Sequence, residues 1–240
     1  AGFADVPGTR IIVFYPKGGV SQVQELQMVT QKGNNTNVVA IHGNFDDAQS
    51  GVKAIFGDRE FAKEVEAMGY QFSSANSINI GRLVPQIVYY VYAYAKLLEN
   101  GEIQEGEQIN VTVPTGNFGN ILAAYFAKQM GLPIDKLICA SNDNKVLYDF
   151  FKTGVYDRRR EFILTNSPSM DILISSNLER LIYLSTGCDG EKTGRLMKDL
   201  AEKGMYEITG DMKERMADFV GGFATQEENG AEIKKVYEDT

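Results

Sequence analysis

Val111-Thr112-Val113-Pro114-Thr115-Gly116-Asn117-Phe118-Gly119-Asn120 runs directly into ILAAYF at 121–126. An apolar β-rich run ends in a small glycine-bearing loop, and a helical pattern starts at once. In open α/β sheets such strand exits face ligands, because the first N–H groups of the next helix point outward. Gly116 and Gly119 allow close backbone approach and positive φ. Asn117 and Asn120 add amide donors or cap the helix. The stretch is neither a GxGxxG dinucleotide loop nor a Walker loop. Its spacing alone does not decide between a phosphate cradle and an ordinary capped turn.

The flanking chain sets the fold class. Residues 10–15 read as a short buried strand stopped by Pro16 and Gly18-Gly19, and 38–41 as a second strand. Ser21 is placed to cap a helix over 22–30, with Glu25 near its positive end. A second helix covers 48–68 with a break near Gly57, and a polar loop follows at 73–79. Residues 82–98 are apolar almost all round. They are too short for a membrane span, and Gln86, Lys96 and several tyrosines mark a buried helix, with Pro85 in its first turn. Beyond the opening strand, Gly131-Leu132-Pro133 stops a helix, 137–140 is a fourth strand, and a helix runs to Gly154. Strands alternating with helices predict an α/β fold with parallel pairing and right-handed crossovers. From Asp189 onward the charged sequence predicts helices and no strand. A boundary near 76–100 divides a smaller α/β domain (1–82) from a larger one with a helical C-terminal region (83–240).

With 240 residues, 43% hydrophobic and 23% charged, the composition is that of a globular protein with a sizeable core. A net charge of −8 argues against nucleic acid as a partner. Cys139 and Cys188 fit no metal spacing, and only His42 is available to join them, so no metal site is expected. A nucleophile–histidine mechanism would have to run through this one strand-end histidine and is set aside. No signal peptide is expected, since AGFADVPGTR lacks a basic region followed by an apolar one. Ala1 to Ala4 reads like the end of a helix without a starting methionine, as in a chain cut from something longer. With free thiols this points to the cytoplasm. Two more loops carry polar groups. Asn76, Ser77, Asn79 and Arg82 form a helix entrance whose arginine suits an oxyanion, or merely a cap with a surface charge. Residues 15–21 hold Lys17 beside two glycines, where a solvated lysine is the ordinary finding.

Taken together, four stretches resemble threonine synthase: VPTGNFGNILAAYFAKQMGLP (113–133), SANSINIGRLVPQ (74–86), YPKGGVSQVQELQM (15–28) and TNSPSMDILISSNLERLIY (165–183). Their order and spacing match over 2–187. The resemblance implies a parallel-sheet three-layer α/β fold of the tryptophan synthase β-subunit-like (type II) class, here incomplete. It implies pyridoxal 5'-phosphate (PLP) as cofactor and a lyase of threonine biosynthesis that turns O-phospho-L-homoserine and water into L-threonine and phosphate. Gly116, Asn117, Phe118, Gly119 and Asn120 would cradle the cofactor phosphate. Asn76, Ser77, Asn79 and Arg82 would line the substrate side, with Arg82 on its phosphate. The partner implied is a small molecule, not nucleic acid or membrane, and no oligomeric state follows. In that family the cofactor-bearing lysine precedes a Ser-Gly-Asp-Thr-Gly loop, and both would lie before Ala1. A C-terminal segment near the pyridine nitrogen would also fall outside, so an inactive internal fragment without a catalytic residue of its own is expected. Lys17 lies in a different motif and does not replace that lysine. Residues 167–183 are read as mostly core through Met170, Ile172, Leu173, Leu178 and Leu181. A noncatalytic phospho-ligand-binding α/β module, or a serine/threonine dehydratase relative, stays as the alternative.

Overall fold

The computed structural model describes residues 2–77 and 79–240, and leaves the side chain of Asp46 undescribed. Ala1 and Ile78, each part of a stretch read above, lie outside the described residues. Two compact units divide the chain, Ala1–Phe72 and Ser73–Thr240. Residues 73–82, grouped above with the smaller domain, belong to the second unit, where the adjoining Leu83 is fully buried in the core.

In the first unit β1 (Ile11–Pro16) pairs in parallel with β2 (Thr36–Ile41) from Ile11↔Thr36 to Pro16↔Ile41. The crossover is α1 (Gln22–Val29), opened by a capping box in which Ser21 and Gln24 satisfy each other's N–H. The anticipated break falls at Asp58, between α2 (Phe45–Gly57) and α3 (Arg59–Ala67). Its carboxylate accepts from the N–H groups of Glu60 and Phe61, so the same residue ends one helix and caps the next. Gly2 to Asp5 form turns rather than a helix end. Asp5 sits at φ 57°, and its carboxylate accepts from the Asn34 N–H.

The second unit begins with α4 (Ile80–Leu83), a 3-10 turn at Val84–Gln86 that accommodates Pro85, and α5 (Ile87–Glu99). The apolar run is therefore not one buried helix. Tyr94 faces the core, while Val88, Tyr89 and Tyr92 are each 63% exposed. Then follow β3 (Ile109–Pro114), α6 (Gly119–Gln129), β4 (Ile134–Ser141), α7 (Val146–Thr153) and β5 (Val155–Asp157). The remainder comprises α8 (Leu178–Ser185), α9 (Gly190–Lys203), β6 (Met205–Glu207), α10 (Gly210–Arg215), β7 (Phe219–Phe223) and α11 (Gln226–Asp239).

β4 is the middle of an all-parallel sheet ordered β3-β4-β7, and β5 and β6 form a small antiparallel pair. The C-terminal third thus does contain strands, contrary to the reading above. β7 reads FVGGF, and its two glycines dilute the strand signal. Gly221 is needed there, since a Cβ would lie 3.0 Å from Tyr148 Cα on α7. Both covering helices lie on the face of Phe219 and Gly221. Phe151 of α7 stacks on Phe219 and Tyr125 of α6 packs tilted against it, with ring centroids 5.3 and 5.4 Å away. Thr112, Pro114 and Val220, on the other face, are exposed. Among the described residues no helix is long and apolar enough to cross a membrane, and no group of three metal-ligating side chains forms.

Candidate functional site

β3 ends where the Thr115 N–H completes the ladder on Ala140 O at 2.8 Å and the Thr115 hydroxyl donates to Val113 O at 2.7 Å. The next two carbonyls are claimed from a distant segment. Ser175 Oγ donates to Gly116 O at 2.8 Å. Asn177 donates to Asn117 O through both its N–H and its Nδ2, at 3.1 and 2.8 Å. The N–H groups of residues 116–121 meet no acceptor among the described residues, and no side chain caps α6. With acceptors tied back and donors free, the turn presents a concentration of positive dipole at a helix N-terminus. That donor set suits an oxyanion such as a phosphate monoester.

The glycines act differently from their reading in sequence. Positive φ falls on Phe118 (φ 63°), not on Gly116 or Gly119. A non-glycine residue held there is uncommon and strained. It is kept by its ring, which is 1% exposed and packs on Phe151 and Phe219 with centroids 5.9 and 5.5 Å away. Gly116 serves a close approach of a second chain segment, since a Cβ would stand 2.5 Å from Ser169 O. A Cβ on Gly119 would stand 3.4 Å from both Ser77 Cβ and Asn177 Nδ2, so the 76–79 loop lies against the start of α6.

The side chain of Asn120 is not available to a ligand. Its Nδ2 donates to Gln86 Oε1 at 3.0 Å, and its Oδ1 accepts from the Tyr90 hydroxyl. Burial pushes that hydroxyl up to about 12, which keeps it a donor. Asn120 therefore contributes its N–H alone. Asn117 differs: its Oδ1 is buried with no hydrogen-bond partner. A half-turn of the amide offers a donor at the same place.

On the 76–79 loop, Asn79 is consumed as the α4 cap, accepting from the Gly81 N–H at 2.9 Å and donating to Ser74 O at 3.2 Å. Asn76 O accepts from the Asn79 N–H at 3.1 Å. Ser77 O is gripped by Arg180 Nη1 at 3.1 Å, and the same nitrogen reaches Asn177 Oδ1. Burial pulls the Arg180 guanidinium below its ordinary value. Arg82 is exposed and forms no ion pair among the described residues.

Ser175, Asn177 and Arg180 were passed over in the run read as core. Ile172, Leu178 and Leu181 are indeed buried there, but the polar residues between them brace the glycine loop. The neighbouring Asp171 carboxylate, also buried, accepts from Asn142 Nδ2 (2.7 Å), Asn144 Nδ2 (3.1 Å), the Thr165 hydroxyl (2.8 Å) and the Thr165 N–H (2.9 Å). Polar residues punctuating an otherwise apolar run were the available signal. Lys17 and His42, in the first unit, are exposed. Cys139 and Cys188 are free thiols, and burial pushes the first up to about 12.

No family model matches the chain. It is 44% identical over 230 residues to threonine synthase-like 1 of Macaca fascicularis, covering 95% of this chain and 31% of that protein. It is 40% identical over 240 residues to threonine synthase of Saccharomyces cerevisiae, covering 96% and 45%. The crystal structure of PLP-bound threonine synthase from Brucella melitensis superposes with a TM-score of 0.79 at 40% identity, over 94% of this chain and 47% of that one. The chain spans about half or less of the length of these proteins. Over nearly all of its own residues it is homologous in sequence and alike in fold to part of the threonine synthases.

Proposed function

We propose that this chain holds PLP by its phosphate on the N–H groups of residues 116–121, as part of a threonine synthase that converts O-phospho-L-homoserine and water to L-threonine and phosphate. The observation that carries the reading is the β3–α6 turn, with its carbonyls tied by Ser175 and Asn177 and its donors free. Bound there, PLP supplies an electron-withdrawing ring that eases proton removal from the substrate. The chain's own residues bind and orient. Gly116, Asn117, Phe118, Gly119 and Asn120 act through backbone N–H groups, Asn117 adds its amide, and the ring of Phe118 holds the turn rigid from below. Asn76, Ser77, Asn79 and Arg82 form the substrate side, where the exposed guanidinium of Arg82 meets the substrate phosphate as a two-pronged donor. Lys17 has no covalent role. The cytoplasm, where thiols stay reduced, suits Cys139 and Cys188.

Calorimetric titration of the chain tests this reading. PLP is expected to bind saturably and to be displaced by inorganic phosphate. Asn117→Asp, which sets a carboxylate against the dianion, should weaken both ligands tenfold or more. Arg82→Ala should leave PLP affinity unchanged while weakening O-phospho-L-homoserine. Absence of PLP binding, or indifference of that binding to Asn117→Asp, would sink the assignment. An absorbance band near the visible edge that Lys17→Ala removes would overturn the statement about Lys17.

A further inference from the structure

Among the described residues two buried side-chain atoms make no hydrogen bond, Asn117 Oδ1 and Ser141 Oγ. Buried polar atoms are almost always partnered, because an orphan forfeits its hydration without replacement. Both orphans stand at the carboxyl edge of the same parallel sheet. Pro114 pairs with Ala140, so the next step of the register sets Thr115 beside Ser141. Neighbouring strands lie about 4.8 Å apart. Ser141 is thus one strand away from the turn whose donors are free.

Its position is also fixed. Ala140 O accepts from the Thr115 N–H, and Ser141 O accepts from the Ala224 N–H at 3.1 Å. Ser141 is only 6% exposed. The other polar side chains of this strand exit are engaged: Asn142 and Asn144 with Asp171, and Asp143 with the Gln226 N–H. Among the described residues, the serine hydroxyl alone is left over there. A hydroxyl both donates and accepts, so it can meet a ring nitrogen or a ring oxygen in either protonation state.

We propose that Ser141 is a ligand-contacting residue whose hydroxyl bonds a polar atom on the ring of the phosphorylated heteroaromatic ligand held by the β3–α6 turn. This rests on the PLP reading above and adds a residue that neither the motif nor the glycine loop contains. It divides the labour between the two orphans: Asn117 serves the phosphate end and Ser141 the ring end.

The test is calorimetric titration of the 240-residue chain and its Ser141→Ala variant with PLP and, separately, with inorganic phosphate, together with the thermal midpoint of each ligand-free protein. Ser141→Ala is expected to weaken PLP about tenfold, as loss of one hydrogen bond does. Affinity for inorganic phosphate should not change. The ligand-free midpoint should rise, because an unpartnered buried hydroxyl has been replaced by a methyl group. Equal losses for PLP and phosphate would make Ser141 a support of the turn and overturn the proposal. So would a lowered ligand-free midpoint, which means the hydroxyl already has a partner within the fold. Unchanged PLP affinity in the variant would overturn this inference and leave the PLP reading intact. Failure of the unsubstituted chain to bind PLP would overturn both.

Discussion

Two strand exits in this chain share a plan and do opposite things. β1 and β3 are both parallel strands ending in proline, at Pro16 and Pro114, and each is followed by a glycine-bearing loop and a helix. At the first exit the loop closes on itself. The Gly19 N–H goes to Pro16 O, and Ser21 and Gln24 satisfy each other across the helix start, while the Lys17 N–H only completes the ladder on Ile41 O as the Thr115 N–H does on Ala140 O. At the second exit the carbonyls are taken by Ser175 and Asn177, while the N–H groups are left open. Glycine content does not separate the two. What separates them is whether the turn spends its donors on its own acceptors or has those acceptors taken from outside.

The largest test of that contrast concerns the residue that holds the open turn in shape. Phe118→Ala removes a nearly fully buried ring and keeps a side chain at φ 63°, so it should cost about 3–5 kcal/mol in urea denaturation. Phe118→Gly deletes more atoms yet should cost about 1 kcal/mol less than the alanine variant, because glycine relieves the left-handed strain. If glycine is the worse of the two, the turn stores no such strain. A smaller effect reads the packing beneath the turn. The Cys139 thiol, pushed up to about 12 by burial, stays protonated in the fold when the unfolded chain has lost its proton. Its contribution is therefore present in full below about pH 9 and is lost as pH rises towards 12, at about 1.4 kcal/mol per unit. Cys139→Ala should remove the part of the alkaline loss that begins near pH 9 and leave the part due to Tyr90, which begins near pH 10. An unchanged alkaline profile in the variant would mean that the thiol is hydrated. The smallest effect compares the two exits directly. Ser21→Ala and Ser175→Ala should each cost about 1 kcal/mol of stability. Only the second should weaken phosphate binding, by several-fold in calorimetry. If Ser21→Ala did so as well, the first exit would not be closed.

Much of this was legible in the sequence, and the failures share a cause. The runs of β1 to β4 and the Ser21 cap announce themselves, because apolar period and capping chemistry are local. β7 was hidden by Gly221, a residue explained only by the backbone of α7 lying across it. The turn at 116–120 was recognisable as a place, but not as an open one. The residues that open it, Ser175 and Asn177, lie 59 and 60 positions along the chain from the carbonyls they hold. The same distance explains the Asn120 side chain, which is spent on Gln86 of the 3-10 turn and Tyr90 of α5 rather than left for a ligand. Conversely, residues 76–79 were set beside the loop by resemblance alone, and Ser77 against Gly119 now gives that neighbourhood a physical contact.

Asn177 joins more than it first shows. It holds the Asn117 carbonyl, and its own Oδ1 takes the guanidinium of Arg180, which in turn grips Ser77 O. The loop assigned to substrate and the loop assigned to cofactor are thus members of one linkage rather than two walls of a cleft. A change that displaces Asn177 therefore acts on both loops at once.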